Sequence, residues 1–175
     1  VEHLAASQHV GHGVNAQGRD KGENDGGENT GEGQGATYGC QQNENDTERI
    51  DGMLLQMGYE YTEDKDLADL ILFNTCAVRE HAETKVFRNV GALVKNKREN
   101  PDLKICLCGC MMTQPHIAEQ IKTKYRHVDL VFGTHALYRF PENLYRILTG
   151  GKRVFDVTSE DGRVAEGLPI RRRDK

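Results

Sequence analysis

The chain has 175 residues, with 23 Lys or Arg against 27 Asp or Glu and a formal net charge of -4, a length that suits one domain with a full core and excludes two large ones. The charge is unevenly divided: residues 1–36 hold six acidic and two basic residues and so the whole -4, while residues 37–175 hold 21 of each sign. A neutral domain lacks the basic patch by which nucleic-acid binders usually announce themselves, and the only dense basic cluster is the late run Arg171, Arg172, Arg173.

Residues 1–36 contain nine glycines, many Asn, Gln, Asp and Glu, and no aromatic residue. Such a segment buries too little apolar surface to offset its ordering entropy, so it is expected to be a disordered tail. Its three histidines His3, His9 and His12 could bind a metal weakly, although a solvated tail is the plainer expectation. From residue 37 the composition changes. Asn45 or Asp46 is placed to cap a helix running to about Met57, with Ile50, Met53, Leu54 and Met57 on one face and Gly58 at its end. Leu70-Ile71-Leu72-Phe73 is a continuous apolar run, the pattern of a parallel strand buried on both faces. A long helix is expected from about Glu80 to Asn100, with Val86, Val90, Leu93 and Val94 inward and Pro101 beyond its end. Lys104–Cys108 reads as the next strand, followed by a helix. Val128–Phe132 reads as another strand, Glu142–Leu148 as a helix and Lys152–Val157 as a last short strand.

This alternation implies an α/β domain over residues 37–157: an open, mostly parallel sheet with helices on both faces, flavodoxin- or Rossmann-like. Residues 158–175 are polar, without periodicity, and read as a linker. No stretch approaches the roughly 20 apolar residues of a membrane span. No positive start and apolar core marks a secretory signal. Five cysteines, an odd number without a signal, point to a reducing compartment such as the cytoplasm, where cysteine clusters more often mean metal or catalysis.

Three cysteines share a context. Cys40, Cys76 and Cys110 each precede a helical pattern, and the latter two directly follow apolar strands. In an open parallel sheet the loops at the carboxyl ends of the strands form one crevice, so these residues can converge. Helix N-termini there favour the thiolate form. Structural zinc usually takes four ligands, often as paired C-x-x-C knuckles, and neither a pair nor a clear fourth ligand is present. Soft thiolates suit iron–sulfur clusters, and four irons on three thiolates leave one iron open. Buried structural cysteines are the alternative. Cys106 and Cys108 alternate along one strand and are expected to pack against a helix, with Cys108 a substitute ligand. Gly39 and Gly109 would allow tight turns before the cysteines. Asn74 and Thr75 could donate to cluster sulfurs or substrate, or cap a helix. Arg79, Glu80, His81 and Glu83 read as a solvated first turn; His116, His127 and His135 belong to no visible hydrolytic triad.

The motifs resemble a known family. Thr37-Tyr38-Gly39-Cys40-Gln41-Gln42-Asn43, Asn74-Thr75-Cys76-Ala77-Val78-Arg79-Glu80, Cys108-Gly109-Cys110-Met111 with Gln114, and Phe132-Gly133-Thr134-His135 together resemble the N-terminal part of radical-SAM tRNA methylthiotransferases, over about residues 37–150. Within that family they are most similar to the branch acting on isopentenylated adenosine in tRNA. The resemblance implies an auxiliary 4Fe-4S cluster held by Cys40, Cys76 and Cys110, whose open iron carries the sulfur that is methylated and inserted at carbon 2 of the adenosine beside the anticodon. It implies tRNA and a sulfur donor as partners, no membrane, and a cytoplasmic monomer.

Two departures stand out. Family members continue into a radical-SAM domain with a C-x-x-x-C-x-x-C motif that binds S-adenosylmethionine and a second 4Fe-4S cluster. That motif is absent here, so the chain alone is expected to be inactive, with residues 158–175 leading towards the absent domain. The family also enters its first cysteine motif from an apolar strand. Here Gly31-Glu32-Gly33-Gln34-Gly35-Ala36 precedes Thr37, and the first, central strand is expected to be absent or poor. The competing functional classes are a zinc-binding module with His81 or His135 as fourth ligand, and a cofactor-free structural or regulatory domain with buried cysteines. A nucleotide-binding flavodoxin-like domain is disfavoured because no G-x-G-x-x-G or P-loop is present.

Overall fold

In the computed structural model the described residues are 2–7, 41–62, 64, 66–77 and 82–157, with residues 2–7 followed through their backbone alone. The strands are β1 (Glu2–Ser7), β2 (Glu60–Tyr61), β3 (Leu70–Thr75), β4 (Lys104–Gly109), β5 (Leu130–Phe132) and β6 (Val154–Asp156). The helices are α1 (Gln41–Gln56), α2 (Ala82–Ala92), α3 (Val94–Glu99), α4 (Pro115–Lys124) and α5 (Phe140–Gly150), with 3-10 turns at Cys110–Thr113 and Thr134–Arg139.

One sheet has the order β2-β1-β3-β4-β5-β6. β3 to β6 pair in parallel, as the apolar runs imply. β1 runs antiparallel to both β2 and β3, so it is the one reversed strand. The fold is the expected open, mostly parallel α/β sheet, and the order of the first five strands is flavodoxin-like.

Alternation along each strand divides the core into two layers. Leu70, Leu72, Cys106, Cys108, Leu130 and Phe132 face α1 and α5, meeting Ile50, Met53 and Leu54 of α1 and Phe140, Leu144 and Ile147 of α5. Ile71, Phe73, Ile105, Leu107 and Val131 face the other way, against Val86 and Val90 of α2 and Ile117 and Ile121 of α4. Each of the large side chains is worth about 1.5–3 kcal/mol when fully buried, which is why the register, Ile71 opposite Ile105 and Phe73 opposite Leu107, is well defined. Asn74 continues the α1 layer and Thr75 the other.

The structure departs from the sequence-based expectation in three places. Residues 2–7 of the expected disordered tail are a strand. They cover the edge of β3, whose six residues are all buried and whose backbone groups need partners. The rest of the tail, including His9 and His12, and the linker at 158–175 with Arg171–Arg173 lie outside the described residues. Second, the expected helix of residues 80–100 is two. Leu93, 4 % exposed, pins the chain to the core while its N–H bonds Val90 O at 3.2 Å in a tightened turn. Third, α1 starts at Gln41, so Asn45 and Asp46 lie within the helix and cap nothing. Its end is as expected: Gly58 has φ +86°, Gly58 N–H donates to Leu55 O at 3.0 Å and Tyr59 N–H to Leu54 O at 2.9 Å, the paired bonds of a Schellman motif.

Candidate metal centre

Cys76 and Cys110 are the residues that follow β3 and β4. Thr75 and Gly109 are the last register partners of the two strands, so both cysteines leave neighbouring parallel strands, about 4.8 Å apart, at the same end of the sheet. Cys76 is 7 % exposed, and Cys110 is more accessible. The chain after β3 turns back towards Cys110: the Ala77 N–H donates to Cys110 Sγ at 3.0 Å. A backbone donor aimed at sulfur favours its anionic form. Thr113 Oγ1 donates to Cys110 O at 2.6 Å, closing the 3-10 turn that the cysteine begins.

The approach of these segments depends on Gly109. Its φ is +102°, and a Cβ there would lie 2.1 Å from Thr75 O, 2.7 Å from Asn74 Oδ1 and 2.8 Å from Thr75 N. No side chain fits, so β4 can deliver Cys110 beside the Cys76 segment only through glycine. Thr75 adds a bond across the strands, Oγ1 donating to Cys108 O at 2.5 Å.

Cys40 is outside the described residues, but the next residue, Gln41, opens α1. The first turns of α1 lie against β3. Asn74 Nδ2 donates to Asn43 O and to Thr47 Oγ1, each at 2.9 Å. Thus Asn74 uses its amide donors within the fold, and neither it nor Thr75 caps a helix. Asp46 lies among them, 4 % exposed and accepting from Gln42 Nε2 at 2.8 Å. Burial pushes its carboxyl up from the ordinary range, opposed by the Gln42 bond and the charge of Arg49. The sequence marks these residues singly, as motif members or as cap and donor candidates, and the fold joins Asn43, Asp46, Thr47 and Asn74 in one buried polar cluster. Its only signal is polar residues at helical spacing on the side of α1 that Ile50 and Leu54 bury.

The other cysteines are core residues. Cys106 and Cys108 are 0 and 2 % exposed, in the layer beneath α1 and α5. Burial, then neighbouring negative charge, pushes both thiols up and keeps them neutral. Cys108 thus lies within β4 and in the core layer, whereas Cys110 lies in the turn beyond the strand. Of the histidines, His127 Nε2 bonds Val90 O at 2.8 Å, and His116 pairs loosely with Glu83 at 3.7 Å on the surface. His135 lies against Gly133 and Thr113 near the Cys110 turn, its Nε2 buried and without a hydrogen-bond partner among the described residues. Arg79, Glu80 and His81 lie outside the described residues.

Among the described residues no group of three His, Cys, Asp or Glu is assembled around a common point, the third thiol, Cys40, falling outside them. The donor set nevertheless fits an iron–sulfur cluster. Two soft thiol sulfurs that could hold one sit at adjacent strand ends, one takes a backbone N–H, and Gly109 removes the side chain that would crowd them.

Comparison with known proteins agrees with the motifs. The profile of the family described as "Uncharacterized protein family UPF0004" matches residues 34–133. The chain belongs to that family. It is 55 % identical over 137 residues to a protein of Alkaliphilus oremlandii named tRNA-2-methylthio-N(6)-dimethylallyladenosine synthase, an alignment covering 78 % of this chain and 29 % of that protein. Proteins of the same name from Clostridium beijerinckii and Clostridioides difficile are each 51 % identical over 137 residues, covering 78 % of this chain and 30 and 29 % of theirs. The chain thus spans under a third of the length of these relatives, which are tRNA methylthiotransferases. No helix among the described residues is long and apolar enough to cross a membrane.

Proposed function

We propose that residues 37–157 are the auxiliary-cluster domain of a tRNA methylthiotransferase, with Cys40, Cys76 and Cys110 as the three thiolate ligands of a 4Fe-4S cluster. The observation that carries this reading is the juxtaposition at the ends of β3 and β4, where the Ala77 N–H reaches Cys110 Sγ at 3.0 Å. The relatives' name supports the reaction class and the substrate, a dimethylallyl adenosine in tRNA.

Bound here, a cluster with one open iron would supply the sulfur for a methylthio group. The chain's own residues hold the ligands. β3 and β4 fix the spacing of Cys76 and Cys110, the Ala77 N–H stabilises negative charge on Cys110 Sγ, and Gly109 keeps the approach clear. The 175 residues contain no C-x-x-x-C-x-x-C motif. Cleavage of S-adenosylmethionine at a second cluster is therefore a role for the rest of the methylthiotransferase and not for these residues.

Anaerobic reconstitution with iron and sulfide tests the assignment. The expected result is about four irons per chain with sulfur-to-iron charge-transfer absorption, both lost in the Cys40→Ala, Cys76→Ala, Cys110→Ala triple variant. Equal iron and absorption in that variant would overturn it. A single zinc in natively purified protein would replace it with a zinc-binding module.

A further inference from the structure

We infer that Asn74 is a positioning residue that holds all three cysteine-bearing segments in one arrangement; this rests on the cluster reading above. Asn74 stands two residues before Cys76 on β3. Its Nδ2 donates at 2.9 Å to Asn43 O, three residues after Cys40, and at 2.9 Å to Thr47 Oγ1 on the next turn of α1. Its Oδ1 faces the third segment: a Cβ on Gly109, immediately before Cys110, would lie 2.7 Å from that oxygen. The same Cβ position lies nearer still to Thr75 O, at 2.1 Å, so Asn74 Oδ1 and the Thr75 carbonyl pack together against Gly109; among the described residues no conventional donor reaches Asn74 Oδ1, which is buried.

The side chain is 1 % exposed and joins segments 31 residues apart through Asn43. α1 and β3 are also joined by apolar packing of Ile50 and Leu54. That packing secures the helix against the sheet, whereas the amide fixes how far the N-terminal end of α1 sits along β3, and with it the start point of the Cys40 segment. Loss of the amide need not unfold the domain. Thr47 Oγ1 donates independently to Asn43 O at 2.9 Å, so Asn74→Ala leaves that buried carbonyl bonded.

The test compares wild type, Asn74→Ala, Thr47→Val and a remote control, Arg153→Lys. After anaerobic reconstitution, loss of the charge-transfer band to an iron chelator is timed alongside the urea midpoint. The clamp predicts cluster loss about ten-fold faster in Asn74→Ala, the scale of effects from groups that orient metal ligands. Loss should be faster in Thr47→Val by a smaller factor, and unchanged in Arg153→Lys even where its urea midpoint falls as far. A second readout needs no cluster: the yield of Cys40–Cys76 cross-link by a short bis-maleimide in the metal-free chain, read by peptide mass spectrometry. It is expected to fall several-fold in Asn74→Ala. Wild-type cluster lifetime and cross-link yield in Asn74→Ala would overturn the clamp while leaving the cluster assignment standing. Should wild type take up no iron, the cluster assignment fails and the cross-link yield still decides the clamp. If Asn74→Ala does not fold, Thr47→Val decides it.

Discussion

Gly109 and Thr75 face one another across β3 and β4 so closely that a Cβ on Gly109 would stand 2.1 Å from the Thr75 carbonyl oxygen. Backbone against backbone leaves nothing flexible to yield. Gly109→Ala also meets φ +102°, strained for any L side chain. Its unfolding free energy is expected to fall by about 3 kcal/mol or more, measured from urea denaturation, whereas Gly150→Ala, with nothing within 4 Å, should change stability by under about 1 kcal/mol.

Two lysines on α3 separate a partly buried ion pair from an exposed one. Lys97 Nζ meets Asp129 Oδ2 at 2.9 Å with side-chain exposures of 18 and 20 %, and it also donates to Leu103 O. Asp129 Oδ2 in turn accepts the Ile105 N–H at 2.8 Å. Lys95 meets Glu99 at 3.7 Å with 80 and 63 % exposed. Lys97→Ala is expected to cost about 2 kcal/mol, because a half-buried carboxylate loses its counter-ion. Lys95→Ala should fall within about 0.5 kcal/mol and vanish in molar salt.

Arg153 closes the end of α4. Its guanidinium donates to Val128 O at 2.7 Å, Lys122 O at 2.9 Å, Tyr125 O at 3.1 Å and Ile121 O at 3.3 Å. A lysine keeps the charge but cannot reproduce this planar fork. Arg153→Lys is expected to lose about 1–2 kcal/mol, with amide hydrogen exchange accelerated at Tyr125 and Val128 ahead of the sheet.

The two core thiols make stability fall in alkali. Burial raises Cys106 and Cys108 above their ordinary range in the folded state, while the unfolded chain ionises them near pH 8.5. Their contribution is complete below that pH and declines above it, because the unfolded state then releases protons the folded state keeps. Each thiol should contribute a loss of about 1.4 kcal/mol per pH unit. Urea midpoints at pH 8 and pH 10 check this, and the Cys106→Ala, Cys108→Ala double variant should show a clearly smaller drop. At pH 7.5 a maleimide should label these positions only after denaturation.

Much of this fold is legible in the residues. Leu70–Phe73 and Lys104–Cys108 announce buried parallel strands, and the spacing of Ile50, Met53 and Leu54 announces α1. What could not be read is set by contacts between distant residues. The first turns of α1 pack on Asn74, a contact between distant residues, and Asn45 and Asp46 lie inside the helix. The break at Leu93 follows from one side chain's place in the core. β1 has no strand signal of its own: Glu2–Ser7, EHLAAS, is placed by the unpaired edge of β3. The proposed cysteine site is read from the sequence as three positions, of which Cys76 and Cys110 lie among the described residues. Its supporting bonds are not so read, because Asn43, Thr47, Asn74 and Gly109 meet only once the sheet is formed.

That reversed strand also orders events in time. Ala5 pairs with Ile71, 66 positions along the chain. During synthesis at about 5–20 residues per second, β1 waits several seconds before β3 exists. β2 offers it only two paired positions, and the five on β3 come later, so β1 is a late addition to the folding sheet. The parallel strands β3 to β6 and their helices can consolidate before it arrives, and β1 then joins a sheet whose other strands are already in position.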